Sequence, residues 1–178
     1  VSEGVPELTV RDFAGAVAAR TAAPGGGAVA AVTAGTSAAL VAMAARFADS
    51  DLAELAGRAD SLRHEALALA DADIEAYQAV LDAYRRKDER DITTALGRAT
   101  DVPLRIAGIG SEVATLAARL VAGGNPNLIG DARVAATLAK GAAIAAAALV
   151  RINVAAGGLD PQLTERADAY VERCGEPP

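Results

Sequence analysis

Carboxylates, carboxamides and backbone amides make up the chemical inventory of this 178-residue chain. The candidates are Asp73, Asp131, Asn125, Asn127, Asn153 and the turn Pro24-Gly25-Gly26-Gly27. Such a set can move protons and stabilise a charged intermediate. It suits hydrolysis or ring closure at an already activated carbon better than attack on an unactivated amide. Nucleophilic triads lack their parts, because the single histidine, His64, stands between Arg63 and Glu65 and reads as a surface residue. The single cysteine, Cys174, has no partner for an internal disulfide. No His/Cys cluster has metal-ligand spacing, so neither a metal nor a tightly bound cofactor is expected.

The glycine turn is the most informative segment. Each glycine costs about 1 kcal/mol against alanine inside a helix, so three in a row after a proline predict a tight turn instead. The turn delivers the chain to a helix start at about Ala28. The first amides there lack intrahelical partners, and no Cβ shields them from a ligand oxygen. The same glycines also fit a purely close-packed turn. A nucleotide-binding P-loop is excluded, since no Lys-Ser/Thr pair follows.

Asp73 stands out by its position. A long helix capped by Asp49-Ser50-Asp51 and reaching about Arg86 carries a seam with alternating steps of three and four. The seam runs through Leu52, Leu55, Ala59, Leu62, Ala66 and Leu69 to Ala76, Val80 and Ala83. Asp73 occupies the place of an apolar side chain within it. A carboxylate there must be paired, hydrogen-bonded or functional. Asp71 lies off the seam and reads as solvated. Asp131 ends the polar connection Asn125-Pro126-Asn127-Leu128-Ile129-Gly130 and fits a helix N-cap.

The elements that must position these groups are all helical; no alternating strand is found. Thr9 and Asp12 mark the start of a short first helix that ends before Pro24. The second runs to about Phe47, and the long third follows. Residues 85–90 read as a charged linker, with Asp91 capping a fourth helix kinked at Pro103 and stopped by Gly123-Gly124. A fifth, alanine-rich helix spans about 132–156, and Asp160-Pro161 starts a last amphipathic one. The expected fold is all-α: an up-and-down bundle of about six helices forming one domain over residues 1–178. The small-residue second and fifth helices leave a surface that a second copy covers most economically, so a homodimer is expected.

Composition narrows the partners. A net charge of −6, a pI near 4.8 and 3% aromatics exclude a basic, stacking nucleic-acid surface. The uncharged stretch from Thr21 to Ala45 has membrane length but is mostly Ala, Gly, Thr and Ser, as in a helix buried by protein. No signal-peptide pattern stands at Val1–Val10. A cytoplasmic protein acting on a small molecule, with no nucleic-acid or membrane partner, is the expectation.

The segment Ala23-Pro24-Gly25-Gly26-Gly27-Ala28-Val29-Ala30-Ala31 resembles the APGGGSVAA opening of the formiminotransferase-cyclodeaminase C-terminal family. That family includes methenyltetrahydrofolate cyclohydrolases. The likeness continues in Asp71-Ala72-Asp73-Ile74-Glu75-Ala76-Tyr77, Val102-Pro103-Leu104, Gly124-Asn125-Pro126-Asn127 with Asp131, and Ile152-Asn153, in the family's order. Ala28, Gly130 and Leu149 replace polar residues of the family pattern. The resemblance implies a helical homodimer acting on a tetrahydrofolate derivative. The reaction would be water addition to the methenyl bridge, or cyclisation of the formimino group with ammonia release. Asp73 or Asp131 would handle the proton, while the glycine corner and Asn125 would hold the substrate. Two other readings fit the residues: the same fold turned to imine or iminium chemistry on another metabolite, and a non-catalytic binding dimer.

Overall fold

The computed structural model describes residues 4–176. Residues 1–3 and 177–178, at the ends of the expected domain, lie outside it. Regular structure among the described residues is entirely helical. After a 3-10 turn at Val5–Glu7 come α1 (Val10–Ala18), α2 (Gly26–Arg46), a one-turn α3 (Ser50–Ala53), α4 (Leu55–Arg86) and α5 (Glu89–Gly123). A second 3-10 turn at Pro126–Leu128 leads into α6 (Ile129–Gly157), and α7 (Gln162–Arg173) closes the chain.

Local chemistry explains most boundaries. Thr9 caps α1 by accepting the Asp12 amide at 3.1 Å. The α4 seam packs inward as its spacing predicts, with Leu55, Ala59, Leu62, Ala66, Leu69, Val80 and Ala83 all buried. Asp160 accepts the Gln162 amide at 2.9 Å where α7 begins.

Several expected boundaries move. The charged run at 85–90 is almost wholly helical, with only Lys87, in the left-handed region at φ 59°, and Asp88 between α4 and α5. Asp88, not Asp91, caps α5, accepting the amides of Arg90 and Asp91 at 2.9 and 3.2 Å. Asp91 instead pairs with Arg86 at 3.0 Å. The helix continues through the buried Pro103, which the sequence predicts as a kink. Asp131 lies in the first turn of α6 rather than at its N-cap, which is Leu128. Asp71, expected in solvent, is half-buried and accepts the Val5 amide at 2.7 Å, pinning the amino-terminal turn to α4.

The long helices α2, α4, α5 and α6 form a closed up-and-down ring in which each neighbour runs antiparallel. Ion pairs at one end of the bundle join neighbours: Arg46, at the carboxyl end of α2, with Asp60 near the start of α4, and Arg58, also near the start of α4, with Glu112 on α5. The core is alanine-rich, so backbones approach closely. At the crossing of α5 and α6, a Cβ on Gly110 would lie 2.7 Å from the Ala139 carbonyl oxygen. Three segments, Gly26–Arg46, Glu89–Gly123 and Pro126–Gly157, have membrane-spanning length and apolarity, but their apolar windows are 61%, 56% and 44% buried within the bundle. The last is the least covered by its own chain.

Gly110→Ala should separate α5 from α6 and destabilise the fold by about 1–3 kcal/mol, a cost that exceeds the usual gain from removing a glycine. Denaturant unfolding measures this, and Gly97→Ala, on the same helix and with nothing within 4 Å of its Cβ, is the matched control.

Candidate active site

The start of α2 has no capping side chain of its own, because its N-cap is Gly25. The missing acceptor comes from another helix. Asp73 Oδ2, on α4, accepts the Ala28 amide at 3.1 Å. Gly26 and Gly27 are thus the first residues of α2, two positions earlier than the sequence predicts. Glycine costs less in this first turn than in a helix interior. At Gly27 it is required: a Cβ there would overlap the Asp73 carboxylate. A Cβ on Gly26 meets nothing within 4 Å.

A cavity of about 410 Å3 opens at this corner. Its floor is Gly25, Gly26, Gly27 and Asp73; its walls come from α4 (Ala76, Tyr77, Val80, Tyr84), α5 (Leu96, Ala99, Pro103) and α6 (Leu149, Ile152, Asn153). Among the described residues, no lysine or arginine lines it. Burial pushes the Asp73 carboxyl above the usual carboxylate range, partly offset by the Ala28 hydrogen bond. Asp73 therefore holds a proton more readily than an exposed aspartate. It can exchange that proton with a ligand inside an apolar chamber.

Asn153 owes its place to Pro103. Proline has no amide to donate to the carbonyl four residues earlier, leaving the Ala99 oxygen without its helical partner. Asn153 Nδ2 donates to that oxygen at 3.2 Å. This bond ties α6 to α5 and holds the Asn153 side chain at the cavity wall.

The sequence-predicted residues divide into two groups. Gly25, Gly26, Gly27, Asp73 and Asn153 line one cavity, and Pro24 precedes it through a cis peptide. Asn125, Asn127 and Asp131 do not line it, so the polar loop and the glycine corner, expected to serve one substrate pocket, lie apart. Asn125 Nδ2 donates to the Phe47 carbonyl at 3.3 Å, and its Oδ1 accepts the Asn127 amide at 3.0 Å. That loop sits beside the carboxyl end of α2, the glycine corner at its amino end. A helix of 21 residues separates them, roughly 30 Å. Sequence reasoning also missed Tyr77 and Tyr84. Their seven-residue spacing on one helix face was the available signal.

A second, more open groove of about 530 Å3 lies between α4, α5 and α7. It is larger, but its acids are engaged: Glu112 holds Arg58 through two bonds of 2.6 and 2.7 Å, and Glu65 lies 3.8 Å from Arg58. The smaller cavity, whose carboxylate has no ion-pair partner among the described residues, is the better candidate. Among the described residues no cluster of three His, Cys, Asp or Glu can hold a metal. His64 is exposed, with Nε2 3.2 Å from Arg63.

A helical ring with a part-buried carboxylate and a glycine corner at one end places the protein among the all-α bundles. Within that class, the family model for formiminotransferase-cyclodeaminase matches residues 9–173, and the chain belongs to this family. It is 34% identical over 170 residues to a methenyltetrahydrofolate cyclohydrolase from Methylorubrum extorquens, covering 85% of this chain and 81% of that one. The crystal structure of formiminotetrahydrofolate cyclodeaminase from Thermotoga maritima superposes with a TM-score of 0.87 at 27% identity, covering 96% and 93% of the two chains.

Asp73→Ala removes the cap of α2 and should cost roughly 0.5–2 kcal/mol. Asp73→Asn keeps an acceptor without the buried charge and should stay within about 1 kcal/mol of wild type. The pH dependence carries a definite sign. The folded-state pKa of Asp73 is raised, so its contribution to stability is fullest below the unfolded carboxylate range and declines as pH rises through the raised value. Asp73→Asn should remove that decline from a pH series of unfolding midpoints.

Proposed function

We propose that this protein is a folate one-carbon enzyme that hydrolyses the 5,10-methenyl bridge of tetrahydrofolate to the 10-formyl form. The observation that carries this reading is an unpaired carboxylate, Asp73, in an apolar cavity without a cation. The methenyl bridge is an amidinium cation, and it supplies the charge that Asp73 lacks. The apolar and tyrosine walls suit the flat ring system beside it, while the open space above Gly26 admits the bridge.

The step balances with one general base. Water donates a proton to Asp73 as its oxygen bonds to the bridge carbon, giving a tetrahedral carbon between N5 and N10. The C–N5 bond then breaks with its electron pair going to N5, which takes the hydroxyl proton as the carbonyl forms, and Asp73 releases the first water proton to solvent, so that one proton is released overall. The Asn153 carboxamide and the glycine-corner amides are the groups available to hold the hydroxyl as charge develops on it. The solved cyclodeaminase favours a second reaction of the same geometry. In it N10 attacks a 5-formimino carbon and Asp73, protonated, gives its proton to the departing ammonia.

We also read the assembly as a homodimer. Six of the exposed large apolar residues, Val29, Phe47, Val134, Leu138, Ile144 and Ile152, lie on α2, just after it, or on α6. A second copy covers this surface. Sedimentation at micromolar concentration reporting a strict monomer would contradict it.

Loss of methenyltetrahydrofolate absorbance above the uncatalysed rate tests the first reaction; ammonia release from the 5-formimino substrate tests the second. Asp73→Asn should lower kcat by about 10²–10⁴-fold while the protein stays folded. In the hydrolytic direction kcat should rise with pH through a value above the usual carboxylate range, and the variant should lose that limb. Wild-type protein inert in both assays would refute the folate reading.

A further inference from the structure

The larger groove, about 530 Å3 between α4, α5 and α7, takes no part in the chemistry described above. It collects three arginines, Arg58, Arg105 and Arg173, against two glutamates, Glu65 and Glu112. Cations outnumber acids there, in a chain whose net charge is −6. Helical spacing brings the groups together. Arg105, Gly108 and Glu112 follow in steps of three and four along one face of α5. Arg58 and Glu65 share a face of α4, as Tyr170 and Arg173 share one of α7.

Both acids are spent on a single arginine. Glu112 accepts from Arg58 Nε and Nη2 at 2.6 and 2.7 Å, a bidentate pair, and Glu65 lies 3.8 Å from the same guanidinium. Among the described residues, neither Arg105 nor Arg173 takes part in an ion pair. Arg173 sits over the Tyr170 ring instead, with Cζ 5.4 Å from its centroid. That ring lies against α5 at Gly108, where a Cβ would stand 3.4 Å from the hydroxyl-bearing ring carbon. Tyr170 thereby sets Arg173 beside the α5 face that carries Arg105 one turn before Gly108.

We propose that this groove binds a small organic phosphate, at a site separate from the Asp73 cavity. Two guanidiniums without acid partners among the described residues, one on α5 and one on α7, suit the several oxygens of a dianion. The space is of ligand size and far exceeds a bare inorganic anion. Its floor includes the buried Leu62 and Ile109, so the ligand carries an apolar or aromatic body behind its anionic head. Both sites can be filled together. Arg105 and Pro103 are two residues apart on α5, about 200° around the helix axis, and each lines a different one. The α4–α5 side of the ring also lies across from α2 and α6, so the homodimer read above leaves the groove open.

Phenyl phosphate is the probe, titrated calorimetrically into the full chain at low salt. Saturable binding with a Kd below about 1 mM is expected, weakening as sodium chloride is raised. Arg105→Gln and Arg173→Gln, both at exposed positions, should each weaken it about tenfold. Arg98→Gln removes the same charge from an exposed position of α5 outside the groove and should change little. Glu65→Gln withdraws an acid that faces the anion and should tighten binding. Gly26→Val, at the Asp73 cavity, should leave the affinity unchanged. Absence of saturable binding, an unchanged affinity in either groove variant, or an equal loss in Arg98→Gln overturns the proposal. So does a weaker complex in Glu65→Gln or Gly26→Val. Inorganic phosphate binding as tightly as phenyl phosphate would overturn the organic ligand, because the apolar floor would then contribute nothing. No arm of the experiment reads folate turnover, so its result stands whichever way the proposed function is decided.

Discussion

The hydrogen bond from the Ala28 amide to Asp73 is the constraint on which the corner depends. It lets α2 begin on glycines, since the cap is delivered from α4 rather than from Gly25. It forces glycine at position 27, where the carboxylate occupies the space of a Cβ. It also sets the electrostatics. The amino end of a helix favours negative charge, and burial opposes it. Burial is the larger effect, so the proton affinity of Asp73 is raised rather than lowered. A cap satisfied inside one helix would have left no such acid at a cavity wall.

Pro103 and Asn153 extend the same logic to the opposite wall. A proline in mid-helix frees one carbonyl, and in a buried setting that carbonyl must find a donor. Asn153 meets the need at Ala99, so a backbone defect on α5 fixes a polar side chain from α6 at the cavity. Two unrelated local vacancies, a missing cap and a missing amide, thus place the two polar side chains that sequence reasoning and the cavity share. Structure and chemistry are inseparable here. Substitution at either position perturbs a helix contact as well as the site.

How much of this was legible beforehand varied with the range of the interaction. The α4 seam was readable because a three-four spacing maps directly onto a buried stripe, and Asp73 was conspicuous as its one charged member. Helix starts were less readable. Asp88 and Asp91 are chemically equal candidates, and the choice depends on where Lys87 turns left-handed. Asp71 looked solvated because the chain that covers it, at Val5, lies far away in sequence. The separation of the Asn125 loop from the glycine corner was not readable from either segment. It follows from the direction of α2 within the ring, which no local pattern encodes.

That separation limits what the cavity holds. Among the described residues its lining carries one acid, Asp73, and no lysine or arginine. A lysine added to the cavity wall would neutralise the carboxylate at short range and lower its proton affinity. The apolar wall is therefore what lets desolvation raise the Asp73 pKa, with the Ala28 amide as the opposing contact. The acid, its cap and the glycines that make room for it are one arrangement, and none of the three can change alone.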